Sequence, residues 1–322
     1  PLLLAACAGL LWAAVVDTPI IGWIVALGLL LFSLLDWGLF ACLPRQGVSF
    51  GPAQPPWLGL VLVRWLLTVG SLPFASRWPI PSLAVLAFLQ TLLWALALQG
   101  TVLEPFRLQV TSLEVSSSKM TNPGMPVRIV QLSDLHIERL TRRESALPVL
   151  VQGLSPDLIV LTGDFLSTTY NTDPQALDDL QALLKQLRAP GGIYAVWGTE
   201  EVDIPDLLRP VLADLGIVTL EDEAIEVTVN GQRLWVVGLN CTRDLVAEGA
   251  RLRALVDDAP LGSFTLLLYH TPDLMPQAAG LGVDLYLAGH THGGQWRLPG
   301  FGALLTSSHY WKRYEAGHYH QG

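Results

Sequence analysis

The chain has 322 residues, a formal net charge of −9 and a charged fraction of 15%, against about 25% in soluble proteins. Its mean hydropathy of +0.43 excludes an intrinsically disordered protein, which needs low hydrophobicity and high charge. Residues 1–100 hold only five of the 47 charged residues, which also excludes a simple soluble globule. We therefore predict a transmembrane helical anchor over residues 1–100 and a water-soluble domain over residues 101–322.

Four apolar segments occupy the first hundred residues, at positions 2–16, 19–43, 57–72 and 80–98. The second and fourth are long enough for a hydrocarbon core of about 30 Å, which needs roughly 20 helical residues. We expect about four helices and a multi-pass position in the cell membrane. A buried bundle in a soluble protein is the alternative, but tryptophans near the segment ends favour lipid. The count of Lys and Arg beside the membrane favours the cytoplasmic side for the large domain.

Two ionisable residues, Asp36 and Arg64, lie inside the second and third apolar segments. Each is about seven residues from the loop that joins these segments, so both lie roughly 10 Å deep on the same side. Ionisable groups in membrane segments usually pair or face a polar interior. We expect a salt bridge between the two helices. The alternative is that the Arg64 side chain extends to the interface.

Short apolar runs that end in polar residues predict buried strands in the second half of the chain. They cover residues 127–132, 158–161, 193–197, 264–269 and 283–287. Helical spacing of apolar residues over 145–154 and 174–187 places helices between the strands, which indicates an α/β architecture. This half has a net charge of −10. Such a charge argues against nucleic acid as a partner, because a protein neutralises phosphates with a basic surface.

Each predicted strand is followed by residues that could bind a metal ion. In chain order they are Asp134 and His136, Asp164, Glu200 and Glu201, His270, and His290 and His292. In α/β sheets functional sites lie at the carboxyl ends of strands, so these side chains are expected to converge. Each pattern alone is weak, but their joint occurrence favours metal binding. Imidazoles mixed with carboxylates fit two divalent ions of the first transition row, Mn, Zn or Fe.

The order D-x-H, G-D, G-N-H, H, G-H-x-H resembles the signature of the calcineurin-like metallophosphoesterases. Residues 130–136, 156–164 and 289–295 resemble its membrane-associated bacterial branch, which includes enzymes similar to UDP-2,3-diacylglucosamine pyrophosphatase. The resemblance begins near Phe106 and implies an α/β sandwich of two packed β-sheets flanked by helices. Because the family continues beyond the position of Gly322, we expect the domain to be truncated at its C-terminus.

The resemblance also implies a role for each candidate ligand. Asp134, His136 and His292 would hold the first metal, His270 and His290 the second, and Asp164 would bridge the two. In the family, the asparagine of G-N-H completes the second site and its histidine assists the leaving group. Here the motif reads Gly198-Thr199-Glu200. We expect Glu200, or failing that Glu201, to replace the missing ligand, because a carboxylate beside two cations is drawn to them.

Two hypotheses about function remain open. The first is a membrane-anchored, metal-dependent phosphoesterase or pyrophosphatase, in which two ions roughly 3.5–4 Å apart hold a hydroxide that attacks phosphorus. Its catalytic candidates are Asp164, Glu200 and His270, and Arg297 is the candidate phosphate-binding residue. Its partners would be membrane lipid and a phosphorylated small-molecule or lipid substrate. The second is a catalytically degenerate protein of this fold that binds a ligand or partner at the membrane, which only the altered Gly198-Thr199-Glu200 motif supports.

Overall fold

The computed structural model describes residues 1–46, 53–120, 124–294, 297–298, 300–303 and 306–321. The chain forms two compact units, Pro1–Gln109 and Val110–Gly322. The division therefore falls a few residues beyond the expected end of the anchor at residue 100. Each unit has its own hydrophobic core.

The N-terminal unit is helical throughout its regular structure. Its helices are α1 (Leu2–Val16), α2 (Pro19–Cys42), α3 (Gln54–Gly70), the short α4 (Leu72–Ala75) and α5 (Pro79–Leu98). Among the residues that the structure describes, three helical stretches are long and apolar enough to cross a membrane: Pro19–Cys42, Gln54–Ala75 and Pro79–Phe106. Helix α1 is apolar but has only 15 residues. All four apolar segments predicted from the sequence are thus helical, and three of them have the length of a membrane crossing.

The predicted ion pair between Asp36 and Arg64 is confirmed. Nε and Nη2 of Arg64 donate to the two carboxylate oxygens of Asp36, at 2.7 and 2.9 Å. Both side chains are fully buried, and Nη1 of Arg64 donates to the backbone carbonyl and to Oε1 of Gln90, both at 2.9 Å. The charge of each group is therefore compensated inside the apolar unit, as buried charges require.

The described part of the C-terminal unit contains two four-stranded sheets and one short hairpin. The first sheet is parallel and runs in the order β1 (Ile129–Leu132), β2 (Leu158–Leu161), β3 (Ile193–Ala195) and β4 (Val218–Thr219). The second runs β5 (Glu223–Val229), β6 (Gln232–Gly238), β7 (Phe264–Leu268) and β8 (Leu285–Leu287), with only the β5–β6 pair antiparallel. The antiparallel hairpin consists of β9 (Arg297–Leu298) and β10 (Gly302–Ala303).

Helices cover the outer faces of both sheets. They are α6 (Arg142–Gly153), α7 (Pro174–Leu184), α8 (Pro205–Asp214), α9 (Leu245–Asp257) and α10 (Met275–Gly280). Strand β2 shows the layering, because its side chains alternate between two cores. Leu158 and Val160 face the second sheet, whereas Ile159 and Leu161 pack with residues of α7 and α8. This arrangement confirms the predicted sandwich of two β-sheets flanked by helices.

The register of the strands determines where the functional residues meet. In the first sheet Leu132 is paired with Leu161, and Leu161 with Ala195, so β1, β2 and β3 end side by side. In the second sheet Leu268 is paired with Leu287, so β7 and β8 also end together. Because these strands are parallel, the segments that follow them emerge at the carboxyl edge of each sheet.

Candidate metal centre

Two groups of side chains that could each hold a metal ion lie in the segments that follow these strands. The first group is Asp134, His136, Asp164 and His292, and the second is Asp164, His270 and His290. Within each group the ligand atoms lie within 4.8 Å of one another. The structure therefore brings together all six ligands that the sequence motifs predicted. Asp164 belongs to both groups, which is the position required of a bridging carboxylate.

The first group is open to solvent on one side. Nε2 of His136 lies 3.6 Å from Oδ2 of Asp164, and Nε2 of His292 lies 3.5 Å from Oδ1 of Asp134. The two imidazoles are stacked, and their Nε2 atoms are 3.1 Å apart. The side chains of His136 and His292 are 28% and 31% exposed, so an ion held here would be accessible to water and substrate.

The second group is built around the fully buried ring of His270. Its Nδ1 must donate to the carbonyl of Thr162, at 2.7 Å, because a carbonyl can only accept. In the neutral ring this bond leaves a lone pair on Nε2. That atom faces Oδ2 of Asp164 at 3.3 Å and Nδ1 of His290 at 3.2 Å. An outer hydrogen bond of this kind is what orients a metal-binding histidine.

The donor set fits divalent metal ions. Carboxylate oxygens and imidazole nitrogens point at one another over distances of 3.1 to 3.6 Å in both groups. Such an arrangement of lone pairs is repulsive unless a proton or a cation lies between them. Mixed nitrogen and oxygen ligands suit first-row transition metals, and two groups that share one carboxylate suit a pair of ions.

The protonation states also favour metal binding. Burial raises the pKa of Asp164, but the hydrogen bond and charge of His270, with the N–H of Thr199, lower it to about 2. Burial lowers the pKa of His136 and of His290. For His270 burial also lowers the pKa, but Asp164 outweighs it and the net shift is upward. At neutral pH the shared carboxylate is ionised and the His136 and His290 rings are neutral, which are the forms that bind metals.

Backbone strain is concentrated at the ligands. The φ angles of Asp134, His136, Asp164, His290 and His292 are 53°, 44°, 55°, 70° and 49°. Left-handed backbone is uncommon outside glycine and costs of order 1–3 kcal/mol per residue. Five of the six ligands therefore occupy an unfavourable conformation, which the surrounding hydrogen bonds must maintain.

Glycines allow the ligand-bearing segments to approach closely. A Cβ on Gly198 would collide with the backbone nitrogen and carboxylate of Asp164, and a Cβ on Gly163 would collide with the backbone of Gly198. A Cβ on Gly289 would collide with the side chains of Ser133 and Asp134. The glycines beside the ligands are thus needed for packing of backbone against backbone and against carboxylate.

Glu200 does not join the ligands, which corrects the role expected of it. Its side chain is exposed and lies outside both groups. The physical reason is a turn: the N–H groups of Val202 and Asp203 donate to the carbonyl of Thr199, at 2.8 and 2.9 Å. This turn directs Glu200 toward solvent. Glu201 is also exposed and forms an ion pair with Arg243 at 3.0 Å.

Thr199 lies beside the second group instead. Its side chain is buried, and its hydroxyl oxygen is 3.3 Å from Nε2 of His270 and 3.5 Å from Nδ1 of His290. Its N–H donates to Oδ1 of Asp164 at 2.7 Å. The threonine that stands at the position of the family's asparagine therefore brings a hydroxyl oxygen to the second group, where Glu200 was expected to supply one.

Arg297, the candidate phosphate-binding residue, is engaged with its own chain. Nη2 donates to a carboxylate oxygen of Glu315 at 3.0 Å, and Nη1 donates to the carbonyl of Gly293 at 2.5 Å. The other carboxylate oxygen of Glu315 accepts from the N–H of Ala303 at 3.1 Å. The guanidinium thus fastens the C-terminal segment to the glycines that follow His292, and the structure does not leave it free to meet a phosphate.

Asp203 is a residue of the site that sequence reasoning missed. Its carboxylate is almost fully buried and accepts three backbone hydrogen bonds. They come from Gly198 at 2.7 Å, Phe165 at 2.8 Å and Asp164 at 2.9 Å. Asp203 therefore ties the segment after β2 to the segment after β3. No local motif marks such a residue, because its partners are backbone groups that leave no pattern in the sequence.

Comparisons with known proteins agree with this site. Residues 127–294 match the family profile described as calcineurin-like phosphoesterase. The metallophosphoesterase YkuE of Bacillus subtilis is 29% identical over an alignment of 240 residues that covers 68% of this chain and 77% of YkuE. A transmembrane protein with metallophosphoesterase domain from Bos taurus is 28% identical over 70% of this chain and 53% of its own length.

A third relative has a named substrate. UDP-2,3-diacylglucosamine pyrophosphatase LpxG of Chlamydia trachomatis is 34% identical over an alignment of 125 residues that covers 37% of this chain and 37% of LpxG. The family profile, the shared carboxylate and the six ligands all agree with one another. The chain belongs to the calcineurin-like phosphoesterases, a family of phosphoester hydrolases that use divalent metal ions.

Proposed function

We propose that this chain is a membrane-anchored, two-metal hydrolase whose substrate is a pyrophosphate or phosphoester, with a lipid-linked pyrophosphate as the preferred class. The observation that carries the proposal is the shared Asp164, which contributes to both groups of ligands. A single-ion site would not need one carboxylate between two sets of imidazoles. Two divalent ions, when bound, supply Lewis acidity toward phosphoryl oxygens and lower the pKa of water.

The chain's own residues prepare the site for this chemistry. Both carboxylate oxygens of Asp134 accept from the N–H of His290, at 3.0 and 3.1 Å, which joins a ligand of the first ion to a ligand of the second. The carbonyl of Thr162 orients His270, and Thr199 orients Asp164. The ligands are therefore held in place before an ion arrives, which reduces the cost of ordering them.

The altered Gly198-Thr199-Glu200 motif favours a pyrophosphate over an alkyl phosphoester. In the family the histidine of G-N-H assists the leaving group, and here Glu200 stands in its place with an exposed side chain. A phosphate leaving group has a pKa near 6, so its departure at neutral pH needs no proton donor. An alkoxide would need one. The substrate that this site handles best is therefore one with a phosphate as leaving group.

The apolar helices and two relatives support a lipid-linked substrate. Three helical stretches have the length and composition of membrane crossings, and the relative from Bos taurus is described as a transmembrane protein. LpxG is described as a pyrophosphatase of a diacylated sugar nucleotide. A multi-pass anchor keeps a water-soluble unit beside the bilayer, where an acylated pyrophosphate resides.

We infer from the Lys and Arg count that the C-terminal unit faces the cytoplasm. Labelling of Val246→Cys with a membrane-impermeant thiol reagent tests this, because Val246 is 85% exposed. Labelling in inverted vesicles but not in intact cells is the expected result. Labelling in intact cells would place the unit on the opposite side.

Hydrolysis by the full chain in detergent tests the proposed activity. The protein is stripped with a chelator and reloaded with Mn²⁺, and three probes are compared: UDP-2,3-diacylglucosamine, bis(p-nitrophenyl) phosphate and glycerol phosphate. We expect metal-dependent hydrolysis of the first two, both of which have good leaving groups, and little of the third. Asp164→Asn is the inactive control. Metal binding without hydrolysis of any probe would instead support a membrane ligand-binding or interaction module.

A further inference from the structure

An exposed aromatic and basic surface lies near the C-terminus. Phe301 and Trp311 are 58% and 56% exposed, although both are large apolar residues. Nζ of Lys312 lies 3.6 Å from the centre of the Phe301 ring and donates to the Phe301 carbonyl at 2.5 Å. The guanidinium of Arg313 lies over the ring of Tyr314. We call Phe301, Trp311, Lys312 and Arg313 the aromatic-basic rim.

The rim is basic within an acidic unit. Residues 297–321 carry three basic residues and one acidic residue, whereas residues 101–296 carry a net charge of −12. The acidic residue, Glu315, is paired with Arg297 at 3.0 Å. Among the described residues neither Lys312 nor Arg313 forms an ion pair, so both positive charges are available to an external anion.

Hydrogen bonds attach the segment that bears the rim to the metal ligands. The hydroxyl of Ser307 donates to the carbonyl of His290 at 3.2 Å, and the hydroxyl of Thr291 donates to the carbonyl of Glu315 at 2.7 Å. A second attachment reaches the segment after His270, where Asp273 accepts from the hydroxyl of Ser308 at 2.6 Å. The rim therefore has a fixed position relative to the second group of ligands.

We propose that the aromatic-basic rim contacts an anionic lipid surface and so holds the metal centre at the headgroup level of the bilayer. Exposed Trp and Phe beside Lys and Arg is the composition of interfacial anchors, in which rings enter the headgroup region and cations meet phosphates. A lipid surface is favoured over a protein partner because the chain carries its own apolar helices of membrane-crossing length. The inference goes beyond the proposed function, because it concerns binding to the bilayer rather than hydrolysis.

Spin labels on the full chain in nanodiscs test the contact. In a background without the native cysteines, Trp311→Cys carries the label, and Leu261→Cys is the matched control because Leu261 is 96% exposed and apolar. Accessibility to oxygen and to a polar nickel chelate reports depth. In phosphatidylglycerol discs we expect the Trp311→Cys label about 5–10 Å below the phosphates. The Leu261→Cys label is expected to stay in water.

A charge variant tests the choice of lipid. Each Lys or Arg near an anionic surface shifts the ratio of docked to undocked protein about fivefold, so Lys312→Ala with Arg313→Ala should lower it about 25-fold. Replacing phosphatidylglycerol by phosphatidylcholine in the discs should lower the ratio of docked to undocked protein by a similar factor. A correctly folded variant is verified by unchanged Mn²⁺ uptake. Asp164→Asn is expected to dock normally, which separates failure of this inference from failure of the proposed hydrolase.

Three results would overturn the inference. One is a Trp311→Cys label that stays as accessible to the nickel chelate as the Leu261→Cys label in phosphatidylglycerol discs. Another is a Trp311→Cys label that lies equally deep in phosphatidylcholine and phosphatidylglycerol discs. That result would show that the rim does not require an anionic surface. The third is protection of the Trp311→Cys label from the nickel chelate that rises with protein concentration and does not depend on the lipid composition. That result would identify a second copy of the chain on the rim.

Discussion

Asp203 accepts a hydrogen bond from the backbone N–H of Asp164, at 2.9 Å. The same carboxylate accepts from the N–H groups of Phe165 and Gly198, and it is only 1% exposed, so water does not compete for these donors. Asp164, the carboxylate shared by both groups of ligands, is thus held by a second carboxylate that belongs to neither group. Because the φ of Asp164 is 55°, an external restraint is needed to keep its strained backbone in place.

We predict that Asp203→Asn weakens metal binding. An amide has one acceptor oxygen instead of two and turns its NH₂ toward a backbone N–H, so at least one of the three donors loses its partner. Loss of such an outer partner typically costs 10–100-fold in metal affinity, and about that loss is expected in Mn²⁺ titration calorimetry. Asp206→Asn is the control, because its carboxylate is exposed. Wild-type Mn²⁺ affinity in Asp203→Asn would show that the restraint is unnecessary.

The second prediction concerns Thr199 and Glu200. Thr199→Val keeps the side-chain shape but removes the oxygen near His270, so the weaker of two Mn²⁺ binding steps should lose affinity several-fold. Glu200→Ala should leave both steps unchanged, because Glu200 is exposed. Titrations of the two variants under the same conditions compare them directly. If Glu200→Ala lost the second ion instead, the turn at Thr199 would have to open to admit the glutamate.

The third prediction concerns the shared carboxylate. Asp164→Asn removes the negative charge between the two groups of ligands, so two cations would repel each other without compensation. We expect loss of the spin-coupled Mn²⁺ signal in electron paramagnetic resonance. Activity should fall by at least about 100-fold, because metal stabilisation is worth several kcal/mol. Asp178→Asn, an exposed carboxylate on α7, is the control. A coupled signal in Asp164→Asn would mean that another group bridges the ions.

The sandwich was predictable where strands are buried on both faces. Leu158–Leu161 is a continuous apolar run, and Phe264–Leu268 is apolar except for Thr265, because neighbouring layers cover both sides of each strand. Strand β5 was not predicted, because Glu223, Glu226 and Thr228 interrupt its apolar residues and much of it is exposed. A signal was present nonetheless: Asn230 and Gly231 join β5 to β6 with φ angles of 51° and 74°. Asn-Gly between two strands is the favoured sequence of a tight hairpin.

The six candidate ligands were predictable because each stands within about five residues of the end of a strand that the sequence predicts. Asp203 and Glu315 were not, because each recognises backbone groups or side chains far along the chain. Glu200 was placed wrongly for a similar reason. Its direction depends on two hydrogen bonds to the carbonyl of Thr199, which no residue pattern encodes. The sequence thus identifies candidate metal ligands more readily than it identifies the residues that hold those ligands in place.

In the helical unit, the prediction from the sequence extended to a specific pair. Asp36 and Arg64 are both fully buried and joined by two hydrogen bonds. The remaining donor group of Arg64 reaches Gln90, whose Nε2 donates in turn to the hydroxyl of Thr68 at 3.2 Å. Every polar group of this network therefore has a partner, so removal of one member leaves another without compensation.

We predict that Arg64→Leu destabilises the helical unit by about 3–5 kcal/mol, because it leaves Asp36 buried without a countercharge. The double variant Asp36→Leu with Arg64→Leu should recover most of this loss, since replacement of a buried ion pair by apolar residues is often neutral or stabilising. Arg45→Leu is the control, because Arg45 is exposed in the 3₁₀ turn that follows α2. Denaturant unfolding of the full chain in mixed detergent micelles measures the stability of all three variants.

If Arg64→Leu unfolded at the same denaturant concentration as the unmodified chain, the pair would contribute nothing to stability. If the double variant were as unstable as the single one, the contribution of Arg64 would lie in its contacts with Gln90 rather than in the charge of Asp36.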